Sequence, residues 1–188
     1  MALISVSNNA LSGITALPAS IPTGALTLIK SITASASASI SFVDGTDGVV
    51  LDDTYSSYVF KFYNMHSSDN GHFQFNMSTD GGSNYNVTKT TTYFEAVHNE
   101  ADTATSLSYK TARDLAQSTS YQILANEVGT DNDKNASGTL SIYNPSSTVF
   151  VKHFIANFNS TYSGDYTVNS YIAGYGNTVS AVDAVRFQ

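Results

Sequence analysis

The dominant pattern along this chain is alternation of apolar and polar side chains with a period of two, the signature of strands that bury one face. Over 58–65, Tyr58, Phe60 and Phe62 fall on one side and Val59, Lys61 and Tyr63 on the other. Over 71–79, Phe73, Phe75 and Met77 alternate with Gln74, Asn76 and Ser78. Asp80-Gly81-Gly82-Ser83 follows, where Asp-Gly supplies the positive φ of a tight hairpin. Leu26, Leu28 and Ile32 begin an earlier predicted strand, and the next, 35–42, alternates small apolar with hydroxyl residues. Further strands are predicted at 90–98, 121–125, 138–143, 148–158, 166–174 and 179–187, and only 111–118 suits a short helical turn. Many short strands with turn residues between them predict an all-β domain over 25–188: an antiparallel β-sandwich, jelly-roll-like. The alternation runs into Phe187-Gln188 without a turn, so a further strand is expected beyond it or supplied from elsewhere.

Residues 1–24 break the pattern. Pro18 and Pro22 forbid a helix and would interrupt a central strand. The stretch reads as an extended N-terminal arm, and it lacks the basic leader and compact apolar run of a signal peptide. Its apolar residues Leu3, Ile4, Leu11, Ile14, Leu17 and Ile21 are the candidates for docking on the main domain or on another subunit.

Composition narrows the function. The chain holds 27 Ser, 21 Thr and 16 Asn, and only 12% of it is charged, about half the usual fraction. Helical bundles, which need long runs of Ala, Leu, Glu and Lys, are excluded. Eight basic residues against 15 acidic ones give a net charge of −7, which disfavours nucleic acid as a partner because phosphate would meet a like-signed surface. No apolar run is long enough to insert in a membrane. The absence of cysteine removes disulfides, thiolate metal sites and Cys nucleophiles together.

Candidate chemistry is sparse. His66, His72, His98 and His153 titrate near neutrality, but their spacing brings no ligand set together; His153 shares a face with Val149, Val151 and Ile155 and reads as an ordinary buried or edge histidine. Asp131-Asn132-Asp133-Lys134-Asn135 resembles the start of a calcium loop, yet Ala136 and Ile142 stand where an EF-hand needs Gly and Glu. Asp44, Asp47, Asp52 and Asp53 crowd another loop and read as solvated turn residues. Glu95, Glu100 and Glu127 are the only glutamates available for paired-carboxylate hydrolysis. There is no Gly-x-Ser-x-Gly, no dinucleotide fingerprint and no Walker sequence. The sequence thus predicts a non-enzymatic protein without cofactor or metal. Surface Tyr with Asn, at Asn84-Tyr85-Asn86 and from Tyr171 to Tyr175, offers groups that stack on and hydrogen-bond glycans.

Three stretches carry a family likeness: Tyr58 to His66 running through Phe73-Gln74-Phe75 to Tyr85, then Ser137 to Pro145, then Ile172-Ala173-Gly174-Tyr175 to Phe187. Over about residues 26–188 the chain resembles a family of small β-rich virion proteins of marine tailed phages, those of cyanobacteria and related oceanic bacteria. Such proteins usually run on past the closing strand with a Ser/Gly turn and one more strand. The resemblance implies a virion location after assembly in the host cytoplasm, other capsid or tail proteins as partners, and a homo-oligomer, three-fold assemblies being common among such appendages. The expected role is capsid decoration (cement) or tail appendage, docked through the arm. The alternative is a tail-fibre-type receptor-binding module that reads host-surface glycan.

Overall fold

The computed structural model describes residues 26–162 and 164–188, which form ten strands in two antiparallel sheets. They are β1 (Ile40–Val43), β2 (Ser57–Met65), β3 (Phe73–Ser78), β4 (Lys89–Asn99), β5 (Thr105–Tyr109), β6 (Gln122–Ala125), β7 (Ala136–Tyr143), β8 (Lys152–Tyr162), β9 (Tyr166–Gly176) and β10 (Ala184–Phe187). The smaller sheet has the order β1-β10-β3-β6 and the larger β2-β7-β8-β9-β4-β5. In chain order the strands cross between sheets, with β4–β5 and β7–β8–β9 staying together in the larger one. This is the eight-stranded jelly-roll order with its seventh strand expanded into the meander β7–β8–β9. Because the replacement has an odd number of strands, the chain still leaves in the direction that lets β10 run between β1 and β3.

Period-two patterning explains the packing. Tyr58, Leu140, Ile142, Phe154, Phe158, Tyr93 and Ile172 turn inward from the larger sheet, and Phe75, Met77, Val185 and Phe187 from the smaller. Phe187 is the hub: its ring lies 5.2 Å from Phe60, 4.7 Å from Phe62, 6.0 Å from Phe73 and 6.1 Å from Phe42, centroid to centroid. Gly138, between Phe62 and Phe158 in the ladder, is the gap that admits their rings. A Cβ there would lie 2.5 Å from the Phe158 ring and from the Asn157 carbonyl.

Several expectations are corrected. The stretch at Leu26–Ile32 forms no strand: it has no ladder neighbour, and Leu26 and Leu28 are 69% and 81% exposed. The strand predicted over 35–42 is confined to Ile40–Val43, and the one over 179–187 to Ala184–Phe187. β8 starts at Lys152 because Ser147 Oγ accepts the N–H groups of Val149 and Phe150 and curls that segment into a turn. Residues 111–118 hold a turn and no helix. Gly81 and Gly82 do take positive φ, 68° and 79°, but β3 and β4 lie in different sheets, so the turn launches a crossover and closes no hairpin. β5 was not foreseen.

Candidate functional site on the outer face of the larger sheet

Inward alternation leaves a second face on the same strands. The register aligns Lys61, Thr139, Asn157, Tyr171, Phe94 and Tyr109 in one row across all six strands, and Val59, Ser141, Ile155, Ala173 and Thr92 in the next. Phe94 and Tyr171 stack across β4 and β9 with centroids 4.9 Å apart and planes 10° from parallel. Amide groups lace the row together: Asn157 Nδ2 donates to Asn169 Oδ1 and Ser170 O, Asn169 Nδ2 to Tyr171 Oη, and Asn159 Nδ2 to Thr167 Oγ1. These donors are spent within the face, which makes it a rigid plate rather than a set of free hands.

Free polar groups gather toward the other end of the same face. A trough of about 480 Å³ is lined by Thr92, Tyr143, His153, Ile155, Ala173 and Tyr175, among others. Ala173, a small residue between larger neighbours, forms its floor. The His153 and Tyr175 rings approach to 5.9 Å, and among the described residues Tyr143 Oη, Tyr175 Oη and both His153 nitrogens make no hydrogen bond. His153 is exposed on the central strand β8, neither the buried nor the edge histidine expected from Val149, Val151 and Ile155, since the two valines precede the strand.

The remaining candidates have local duties. His66 Nδ1 sits 2.8 Å from Lys134 O, Glu127 N–H donates to His72 Nδ1, and His98 Nε2 meets Asp102 at 3.0 Å beside a smaller cavity of about 300 Å³. No three His, Asp or Glu converge on a metal position among the described residues. In the calcium-like loop the cation is Lys134 itself, held by Asp131 at 2.7 Å and Asp165 at 3.1 Å. Asp44 and Asp52 accept the Leu51 and Thr54 N–H groups and shape their loop. Glu95 is buried between Lys110 and Arg113 at 3.1 and 2.6 Å, with the Arg113 guanidinium over Tyr93, whose phenol burial pushes up to about 12. Of the two glycan-type clusters, Asn84-Tyr85-Asn86 covers the outside of the smaller sheet: Tyr85 is buried beneath the Arg186 guanidinium at 3.9 Å, and Asn84 is tied to Asp80. Only Tyr171 and Tyr175 reach the candidate face.

Two buried lysines flank Gly176 on the inner side. Lys152 donates to the carbonyls of Ser147, Phe150 and Thr178, stapling two loops. Lys89 donates to Asn76 Oδ1 and Val87 O, and burial pushes its ammonium down to about 7. The arm residues Leu3, Ile4, Leu11, Ile14, Leu17 and Ile21 lie outside the described residues.

Fold and face together define a jelly-roll sandwich that presents a flat plate of side chains, uncharged apart from Lys61 at its β2 margin. Comparison with protein-family models, curated proteins and solved structures finds no match to this chain. No helix among the described residues is long and apolar enough to cross a membrane.

Proposed function

We propose that this chain is a non-enzymatic structural protein of a phage virion, a capsid decoration or tail appendage docked through residues 1–24. The observation that carries this reading is the jelly-roll strand order, an architecture shared by viral capsid and lectin domains, joined to a broad face whose polar groups are largely spent on bracing it. The buried ionic groups are spent likewise: Glu95, Lys134 and Lys152 each secure a loop. A rigid module of this kind gains attachment strength by repetition on a symmetric particle. Removing residues 1–24 is expected to abolish incorporation of the protein into particles, read by blotting purified virions; undiminished incorporation overturns the docking role of the arm.

The lectin-like reading keeps one specific observation, the trough with unspent Tyr143, Tyr175 and His153. Saturable binding on a glycan array, lost in Tyr175→Ala, is the result that would favour a receptor-binding module over a purely structural part.

A further inference from the structure

Two sheets have four edges, and among the described residues three of these carry features that disfavour another strand. β6 is almost wholly buried, and β1 has only four half-buried residues. β2 carries Lys61 and a register break near Asn64, whose φ is 52°; charges and bulges are the usual means of keeping an edge unpaired. β5, at five residues also short, has neither the charge nor the register break of β2 nor the burial of β6 among the described residues. Thr105-Ser106-Leu107-Ser108-Tyr109 holds no charge and no proline, its register against β4 is unbroken, and Leu107 and Tyr109 are 72% and 51% exposed.

The ladder fixes which backbone groups are free. Asn99 N–H donates to Ala104 O, and Lys110 N–H donates to Tyr93 O. Antiparallel pairing alternates, so Ser106 and Ser108 also face β4 while Thr105, Leu107 and Tyr109 aim their N–H and C=O groups outward.

We propose that β5 pairs antiparallel with β5 of a second copy of this chain, across a two-fold axis through Leu107, joining the two larger sheets into one. The register is self-complementary. Leu107 lies opposite Leu107 of the other copy, and Thr105 lies opposite Tyr109 on both sides of the axis, a favourable pairing of β-branched and aromatic side chains. The three outward-facing residues of each copy satisfy one another's main-chain groups. Asp102, just before the strand, is paired with His98, and at the other end Lys110 is held by Glu95 and Asp114 by Tyr109 Oη, so the main-chain register and not charge sets the pairing. At a net charge of −7 two copies repel in general; β5 itself is uncharged, and the carboxylate its side chains touch, Asp114, is engaged by Tyr109 Oη at 2.6 Å. The isologous contact is closed, since each copy uses its β5 edge once. It does not depend on the virion reading.

Sedimentation equilibrium of the full chain is expected to give twice the 20.0 kDa of one copy. Leu107→Pro, which deletes the central donor, is expected to return it to one. Because the chain has no cysteine, Leu107→Cys introduces a lone thiol. Opposed Cα atoms about 5.5 Å apart in such a pair lie within disulfide reach, so air oxidation is expected to cross-link it quantitatively while Tyr63→Cys on β2 stays uncrosslinked. A monomeric or trimeric mass for the unmodified chain overturns the pairing. So does a dimer that persists in folded Leu107→Pro, or equal cross-linking of both cysteine variants. If Leu107→Pro fails to fold, the two cysteine variants decide the matter.

Discussion

The two faces of the larger sheet are built from the same strands, one residue out of phase, and both are aromatic; they differ in what the rings touch. Inside, Phe60, Phe62, Phe73 and Phe75 converge on Phe187 from both sheets. Outside, Phe94 stacks on Tyr171 amid a lattice of asparagine amides, with no ring of the other sheet against them among the described residues. Ring content alone thus says little about stability. The number of sheets a ring bridges decides whether it holds the fold or finishes a surface.

Phe187→Ala is the hardest test of that contrast. Emptying the hub is expected to cost about 3–5 kcal/mol, read as a fall in the urea midpoint, and a loss below about 1 kcal/mol would show that the rings repack without it. Lys89 sharpens the contrast from the polar side. Its ammonium titrates at about 7 in the folded chain against 10.5 unfolded, so between those values the unfolded state binds more protons and stability rises with pH. The urea midpoint is expected to climb from pH 7 to pH 10, and in Lys89→Met the climb should be reduced to the smaller share of Lys152, whose ammonium burial also pushes down. An equal climb in both proteins would assign the pH dependence elsewhere. The smallest effect belongs to the outer face: Tyr171→Ala is expected to cost about 0.5–1.5 kcal/mol, the worth of one aromatic pair. A double-mutant cycle with Phe94→Ala isolates that pairing from the neighbouring asparagines.

Much of the fold was legible in the sequence where one face was strongly apolar. Tyr58-Phe60-Phe62 and Phe73-Phe75-Met77 are inward-facing as their alternation indicated. Leu26, Leu28 and Ile32 had a similar pattern and formed nothing, because alternation describes a strand's faces and not whether a neighbour exists to bond it. β5 escaped notice for the opposite reason: Thr-Ser-Leu-Ser-Tyr has little to bury and owes its place to the ladder with β4. Asp80-Gly81 fixed a local bend but left open which sheet would receive the next strand. The trough was half legible. Tyr171 to Tyr175 lie on one strand and announce themselves, whereas Tyr143 and His153 join Tyr175 only through the registers of β7, β8 and β9.

Of the 15 acidic residues, Glu95 alone belongs to a strand, so negative potential gathers in the loops and leaves the plates between them bare. Such a molecule meets a like-charged neighbour broadside sooner than tip-first. Added salt, by shortening the reach of those loop charges, relaxes that orientational bias without altering the fold beneath it.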